Sequence, residues 1–384
     1  MARRRIVLPM SAESRRDVVL VGGGHSHIQV FEHLARNRLP NARLTLVVDR
    51  RIAMYSGMVP GFVAGQYGVR DLEIDAVALA KKAGARIVLS PAVRVDTERQ
   101  QIVVADGSPV PYDVAAFDIG SSVIGLDLPG VRKHSLPTRP ITDFVHRVNV
   151  LLEDLLVGER HEFRVVVVGG GAGGMELIFT LEQRLRSAGL DVEALLIEGG
   201  PGIVYNYPDP VRRRVERAAE RRGITLMCDT LVEAVEEGVV VLKHGERLSC
   251  DLLVWVAGPV GHPVFEPSGI ATDERGFALI RPTLQLKDHD NLMGTGDCVT
   301  FIDFPTTPKA GVYAVRQGPF ITRNLLAWLE GRTLEAYTPQ KEFLTLMNLG
   351  DGTAIGAKWG VSFEGRWVMG LKDRIDRAFM GRFQ

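Results

Sequence analysis

The chain has 384 residues, which is long enough for two or three domains that each bury a core. Its 46 lysines and arginines balance its 46 aspartates and glutamates, which excludes a global field that would attract nucleic acid. The three cysteines, Cys228, Cys250 and Cys298, are far apart, so we expect a reducing compartment and no disulfide framework. No segment approaches the ~18 uninterrupted apolar residues of a membrane span, and we expect a cytoplasmic protein.

A glycine-rich loop follows the first apolar stretch of the chain. Residues 18–31, VVLVGGGHSHIQVF, run from β-branched residues into three glycines and then into a helical pattern. His27 stands where the G-x-G-x-x-G fingerprint of dinucleotide sites has its third glycine, which serves the packing of helix on strand. We therefore expect a nucleotide site in which His27 is a packing residue that moves the helix slightly off the strand. His25 and His27 point to different helix faces, so we expect no metal site.

A second glycine loop satisfies the fingerprint in full. In residues 163–185, FRVVVVGGGAGGMELIFTLEQRL, the glycines Gly169, Gly171 and Gly174 follow a valine-rich strand and precede an amphipathic helix. The first glycine permits a tight turn, the second lets backbone N–H groups approach a pyrophosphate, and the third lets helix and strand pack closely. The next strand ends in Glu198, where a carboxylate accepts the ribose hydroxyls.

The first loop has the same context as the second. The strand ARLTLVVD ends in Asp49, 25 residues after Gly24, and Glu198 lies 24 residues after Gly174. One fingerprint is weak support, but two complete strand, loop, helix, strand and acid units predict two nucleotide sites rather than two glycine turns without a ligand.

Three further motifs surround the second loop in the chain. The stretch 112–125, YDVAAFDIGSSVIG, is a strand that ends at Gly120, and 250–261, CDLLVWVAGPVG, is a parallel piece. The stretch 289–301, HDNLMGTGDCVTF, ends a short strand with Gly296 and Asp297, a carboxylate placed to meet a polyol. In this order the motifs resemble the two-dinucleotide-domain flavoproteins of the pyridine-nucleotide–disulfide oxidoreductase superfamily.

The resemblance implies an α/β fold with two Rossmann-like dinucleotide-binding domains and a small C-terminal α+β region. It implies FAD and NAD as cofactors, with the FAD contacts Gly22, Gly24, Asp49, Gly120, Gly296 and Asp297. The implied NAD contacts are Gly169, Gly171, Gly174 and Glu198. We expect a basic tail (1–16), an FAD domain (17–135 and 265–332) interrupted by an NAD domain (136–264), and a C-terminal region (333–384).

Two segments that the resemblance places at the flavin indicate the branch of the superfamily. The stretch RIAMYSGMVPGFVAGQY contains no cysteine pair and is similar to the corresponding segment of type II NADH dehydrogenases and sulfide:quinone oxidoreductases. Residues 304–320 resemble the quinone-site helix only in part, because Val312 and Arg316 stand where glutamines are usual while Gln317 and Gly318 fit. GGGHSH, YSGMVPG, PKAGVYAVRQGP and KDRIDRAFM most resemble the flavoprotein module fused to some selenide, water dikinases.

The resemblance implies an enzyme that takes hydride from NADH onto flavin and passes electrons to a quinone-like acceptor. Glu176 aligns with a glutamate near the flavin, as an orienting or proton-handling group, or is an exposed first-turn glutamate. Lys309 approaches the flavin and stabilises its reduced ring, or is a solvated loop lysine. The alternatives are a sulfide- or selenium-species oxidoreductase and an FAD- and NAD-binding redox sensor.

The C-terminal region predicts a hairpin that turns at Glu364-Gly365, followed by a basic amphipathic helix within residues 370–384. Leu371, Ile375, Ala378, Phe379 and Phe383 fall on one face of that helix. Lys372, Arg374, Arg377 and Arg382 occupy the other positions. We expect this helix to dock on the body of the protein or to contact the inner face of the plasma membrane. No oligomeric state follows from the sequence.

Overall fold

Two parallel five-stranded sheets form the centre of the fold in the computed structural model, which describes residues 15–39, 41–157 and 161–383. The first sheet has the spatial order Leu292–Gly294, Val114–Phe117, Arg16–Val21, Ala42–Val48 and Arg86–Leu89. The second has the order Leu136–Pro137, Leu252–Trp255, Glu162–Val168, Asp191–Ile197 and Thr225–Met227. Most of the predicted basic tail lies outside the described residues.

The central strands are continuously apolar because each sheet is covered on both faces. Val18, Val19, Leu20 and Val21 in the first sheet, and Val165, Val166 and Val167 in the second, are each at most 1% exposed. The α-helices of the described residues are His25–Arg36, Val59–Val63, Val69–Leu72, Ala76–Lys82, Val131–His134, Ile141–Val157, Ala172–Ser187, Asp209–Arg221, Gly311–Leu329 and Arg366–Met380. None of these helices is long and apolar enough to cross a bilayer.

Smaller sheets complete the described parts of the chain. Antiparallel three-stranded sheets are formed by Ala92–Asp96, Gln101–Val104 and Pro109–Pro111, and by Val232–Glu236, Val239–Leu242 and Arg247–Ser249. Strand pairs are Ile52–Met54 with Glu73–Asp75, Ser122–Val123 with Pro259–Val260, and Ala278–Ile280 with Val299–Phe301. Single 3-10 turns are Ser56–Met58, Glu266–Ser268 and Gly296–Cys298.

The C-terminal sheet consists of Thr345–Asn348, Ala354–Lys358 and Val361–Gly365. The predicted hairpin exists, but its predicted turn at Glu364-Gly365 is wrong, because the strands turn at Trp359 and Gly360. Both turn residues have positive φ, +52° and +72°, the geometry of a tight two-residue hairpin turn.

The helix Arg366–Met380 docks on the body of the protein through a face that includes two charged residues. Lys372 is only 7% exposed and Asp376 only 4%, and Phe379 packs beside them. The prediction that Lys372 lies off the docking face, together with Arg374, Arg377 and Arg382, is therefore wrong. Its burial is compensated because Asp376, one turn away, and the carbonyl oxygen of Gly57 accept hydrogen bonds from its ammonium group. The prediction that Phe379 shares a face with Ile375 is also wrong, since Ile375 is 43% exposed.

Candidate functional site

The first glycine loop connects the strand Arg16–Val21 to the helix His25–Arg36. Gly22 has a φ of +95°, a conformation that favours glycine, and a Cβ there would lie 2.3 Å from the carbonyl oxygen of Asp118. A Cβ on Gly24 would lie 2.2 Å from the Asp118 carboxylate. Both glycines therefore allow the loop to pass close to the end of the neighbouring strand.

His27 is fully buried at the third fingerprint position. Its Nδ1 lies 2.9 Å from the carbonyl oxygen of Gly22, and because a carbonyl can only accept, Nδ1 carries the hydrogen. Burial lowers the pKa of His27 to about 4, so the ring is neutral at neutral pH. The prediction of a packing residue is confirmed.

The other predicted FAD contacts lie around the same loop. A Cβ on Gly296 would lie 2.6 Å from Oδ1 of Asp118, so Gly296 flanks the carboxylate that Gly24 also approaches. Gly120, two residues after Asp118, has a φ of +70° and open space beside it. Asp49 ends the adjacent strand, and its carboxylate pairs with Arg50 at 2.8 Å. The first loop and the Gly296 turn thus meet at Asp118.

Asp297 is held by a cation that the sequence did not reveal. Arg139 lies 3.2 Å from its carboxylate and precedes the helix Ile141–Val157. Beside it, Gln317 accepts the Gly296 N–H at 2.6 Å, so this glutamine of the predicted quinone-site helix fixes the Gly296 turn. Nothing local in the sequence marks Arg139, because 158 residues separate it from Asp297.

The second glycine loop is closely packed at its first and third glycines. Gly169 has a φ of +118°, and a Cβ on it would lie 2.7 Å from the carbonyl oxygen of Val256. A Cβ on Gly174 would lie 1.8 Å from the carbonyl oxygen of Gly169. Beside Gly171 there is open space, and no described side chain caps the helix that begins there. A helix start with free N–H groups and room beside it fits a phosphate group.

Glu198 lies at the edge of this second loop. Its carboxylate accepts hydrogen bonds from the N–H groups of Gly170 and Gly200, at 2.5 and 2.7 Å. The two bonds hold the acid beside the glycine turn, at the end of the strand Asp191–Ile197. This is the position from which a carboxylate in a Rossmann fold meets a ribose.

Glu176 belongs to a group of four polar residues that we term the ion cluster: Glu176, Lys372, Asp376 and Tyr55. Lys372 donates to Asp376 at 2.9 Å and to the carbonyl oxygen of Gly57 at 2.7 Å. The Tyr55 hydroxyl donates to Asp376 at 3.1 Å. Glu176 accepts the N–H of Asn348 at 2.8 Å. The cluster joins the second-loop helix, the C-terminal helix and the segment around residue 55.

The charges of the ion cluster are tuned by burial and by each other. Burial raises the pKa of Glu176 to about 7, although the nearby Lys372 lowers it. Burial lowers the pKa of Lys372, but Glu176 and Asp376 outweigh this and raise it, so the lysine stays charged. A carboxyl group with a pKa near 7 exchanges its proton readily at neutral pH.

Lys309 has well-defined partners in the structure. Its ammonium contacts the carbonyl oxygen of Val299, lies 2.8 Å from the Thr300 hydroxyl, and stands 4.0 Å from the centre of the Phe277 ring. Burial lowers its pKa to about 8. These contacts favour a structural role for the lysine, and its predicted approach to the flavin stays a prediction.

Cys298 is buried next to Asp297 and does not resemble a reactive thiol. Its sulfur contacts the carbonyl oxygens of Thr295, at 3.1 Å, and Phe117, at 3.7 Å. Burial raises its pKa to about 12, so the nucleophilic thiolate is not formed at neutral pH. Cys228 and Cys250 are also free thiols.

Comparison with known proteins identifies the family. Residues 16–318 match the family model of the pyridine nucleotide-disulphide oxidoreductases, and the chain belongs to this family. Membership confirms the predicted superfamily, the α/β fold class, the oxidoreductase class and the cofactors FAD and NAD.

Three individual relatives share a quarter or less of their sequence with this chain. An NADH dehydrogenase-like protein of Bacillus subtilis is 25% identical over 85% of this chain and 87% of its own length. A type II NADH:quinone oxidoreductase of Haemophilus influenzae is 22% identical over 89% of this chain and 87% of its own. The solved sulfide:quinone oxidoreductase of Aquifex aeolicus, 17% identical, superimposes with a TM-score of 0.80 over 96% of this chain and 91% of that one, which shows the shared fold.

Proposed function

We propose that this chain is an FAD-dependent enzyme that takes hydride from NADH and passes the electrons to a quinone. The relatives named for NADH dehydrogenase and NADH:quinone activity support this proposal. The single observation that carries it is the ion cluster, because it places a proton-exchanging carboxyl group on the first turns of the helix that follows the second glycine loop.

The two nucleotides are assigned to the two loops. FAD is held by Gly22, Gly24, Asp49, Gly120, Gly296 and Asp297, and the nicotinamide nucleotide by Gly169, Gly171, Gly174 and Glu198. Open space at Gly120 and at Gly171 is consistent with backbone that approaches a ligand closely. The assigned domains are residues 17–135 with 265–332 for FAD, 136–264 for NAD, and 333–384 for the C-terminal region. Bound FAD supplies the two-electron chemistry between the nucleotide and the acceptor.

The ion cluster supplies protons. Reduction of a quinone takes two electrons and two protons, whereas NADH delivers two electrons and one proton as hydride. The Glu176 carboxyl, with its pKa near 7, gives up the second proton and regains it from solvent. Lys372 stabilises the glutamate while it is charged, and Asp376 and Tyr55 hold the lysine in place.

The NADH:quinone reaction is favoured over a reaction in which the flavin acts on sulfide or selenium species. The sulfide:quinone oxidoreductases that the chain resembles use cysteines at the flavin. Here the cysteine nearest to Asp297 is Cys298, which is fully buried and has a raised pKa. We therefore assign a quinone as the electron acceptor, because its reduction requires electrons and protons but no cysteine thiolate.

We propose that the protein also contacts a membrane, through four apolar side chains of the C-terminal hairpin and helix that stay exposed although the helix docks. We term these residues the outer patch: Trp359, Val361, Trp367 and Ile375. Their exposed fractions are 74%, 63%, 61% and 43%. Tryptophan is enriched at bilayer interfaces, and the neighbouring Lys358, Arg366 and Arg374 match anionic headgroups. A bilayer surface suits exposed tryptophans such as Trp359, whose ring centre lies 4.1 Å from the Lys358 ammonium.

The FAD assignment is tested with Asp297→Ala. Purified protein should be yellow and release FAD on denaturation, and the variant should hold FAD about 10- to 100-fold more weakly, because a charge-assisted hydrogen bond contributes about 1.5–3 kcal/mol. Asp303→Ala is the matched control, since Asp303 is exposed on the same segment. Protein that is colourless and cannot be reconstituted with FAD would remove the proposal.

A further inference from the structure

Asp118 is a buried carboxylate at the start of the first-loop helix. It follows the strand Val114–Phe117 and is only 3% exposed. Its Oδ2 accepts the N–H of Ser26 at 2.8 Å and that of His27 at 3.3 Å. These are first-turn N–H groups of the helix, which otherwise remain free to bind an anion. A carboxylate therefore caps the same helix end that we assign to the FAD diphosphate.

The charged groups around Asp118 do not neutralise it. Asp297, on the turn Gly296–Cys298, adds a second negative charge, and Arg139 forms its ion pair with Asp297. His25 and His27, on the first-loop helix, have pKa values of about 4 because of burial and carry no charge at neutral pH. The Cys298 thiol is neutral as well. Among the described residues, no lysine or arginine forms an ion pair with Asp118.

A bound FAD diphosphate would be repelled by the negative charge of Asp118. Two like charges in a buried site of low dielectric repel strongly, and the usual outcome is that one of them takes up a proton. A protonated carboxyl group still accepts the Ser26 N–H through one oxygen and gains an O–H donor. Burial already raises the pKa of Asp118 to about 7, so Asp118 can take up a proton from water near neutral pH.

We propose that Asp118 couples FAD binding to the uptake of one proton from solvent, so that FAD is held more tightly as pH falls. This inference rests on the proposed assignment of FAD to the first loop. The sign follows from linkage. A bound anion favours protonated Asp118, so the FAD complex binds more protons than the free protein, and affinity decreases as pH rises above about 7.

The test is calorimetric titration of the full-length protein, stripped of its flavin, with FAD at pH 8. Repeating it in phosphate and in Tris, whose ionisation enthalpies differ, measures the protons taken up. We expect net uptake approaching one proton and an FAD dissociation constant that rises up to about tenfold per pH unit between pH 7 and 8.5. Zero uptake in the unmodified protein would overturn the inference and needs no variant.

Variants identify the group that takes up the proton. Asp118→Asn keeps the shape of the side chain without its charge, so proton uptake should vanish and FAD affinity should become nearly independent of pH. Asp127→Asn, at an exposed aspartate nine residues later, should behave like the unmodified protein. Uptake that persists in Asp118→Asn and disappears in Asp297→Asn would overturn the assignment to Asp118. Protein that binds no FAD at any pH would instead contradict the proposed function.

Discussion

The Nδ1–H of His27 donates a hydrogen bond to the carbonyl oxygen of Gly22 over 2.9 Å. In the second loop, Gly174 occupies the equivalent position, and a Cβ on it would lie 1.8 Å from the carbonyl oxygen of Gly169. The first-loop helix therefore leaves room for an imidazole that the second does not. In the second loop the helix packs on the strand through direct backbone contact at Gly174. In the first loop the His27 side chain fills the space between helix and strand and forms a hydrogen bond across it.

Restoring the fingerprint glycine with His27→Gly should destabilise the protein. The change removes a buried ring and its hydrogen bond and adds a helix glycine, for a total of about 3 kcal/mol or more. Urea denaturation followed by far-UV circular dichroism measures the difference. Gly174→Ala should also destabilise, because its Cβ has no room. A His27→Gly variant as stable as the unmodified protein would contradict this account of the loop.

The enzyme should prefer NADH to NADPH. Glu198 at the second loop would repel a 2′-phosphate, and Gly199 and Gly200 after it offer no cation to receive one. Glu198→Gln should narrow the ratio of kcat/KM for NADH over NADPH by about tenfold or more, which corresponds to ~1.4 kcal/mol. Steady-state kinetics at low nucleotide concentration measure this ratio, and Glu193→Gln on the same strand is the exposed control. An unchanged ratio would argue against Glu198 as the ribose-binding acid.

The stability of the protein should depend on pH through Glu176. Its pKa is about 7 in the folded protein and about 4.5 in the unfolded chain, so the folded state binds the proton more tightly. This contribution is fully present below pH 4.5 and is lost as pH rises to about 7. Glu176→Gln stays neutral, so its advantage over the unmodified protein should grow between pH 5 and pH 8, by roughly 1–3 kcal/mol.

Urea denaturation at several pH values measures this trend. Glu237→Gln, at an exposed position, is the control and should show no such growth. A Glu176→Gln variant whose stability difference is the same at pH 5 and pH 8 would mean that burial does not hold the Glu176 carboxyl group in its neutral form.

Membrane contact should depend on the outer patch. Replacing Trp359 and Trp367 together by serine should reduce binding to anionic vesicles at low salt severalfold and slow the reduction of long-chain quinones, while short soluble quinones remain substrates. Leu89→Ser is the control, since Leu89 is 61% exposed and lies on the edge strand Arg86–Leu89 of the first sheet. Full-length protein that does not bind anionic vesicles at low salt would contradict the proposed membrane contact.

Deletion of residues 370–384 tests the docking of the C-terminal helix separately. The deletion removes Lys372, Asp376 and Phe379 from the body of the protein, and it should lower thermal stability and impair the reduction of long-chain and short quinones alike. Loss of vesicle binding without loss of stability would show that the docked contacts contribute little to the fold.

The glycine loops were predictable from the sequence because each fingerprint is a local pattern with fixed spacing. The ion cluster was not, since Lys372 and Glu176 are far apart in sequence and a lysine in a helical pattern normally indicates a solvated face. Asp118 was hidden for a similar reason, because it ends an apolar strand and gains its significance from Ser26 on another element. The hairpin turn at Trp359 was missed because a tryptophan with positive φ is rare.

The central claim is tested most directly by following the flavin through both half-reactions in a stopped-flow spectrometer. The protein is reduced anaerobically with one equivalent of NADH and then mixed with a short-chain quinone, polysulfide or oxygen in separate experiments. The account predicts rapid bleaching by NADH and reoxidation by the quinone that is much faster than by polysulfide or oxygen. A flavin that NADH does not reduce, or that polysulfide reoxidises faster than quinone, would contradict it.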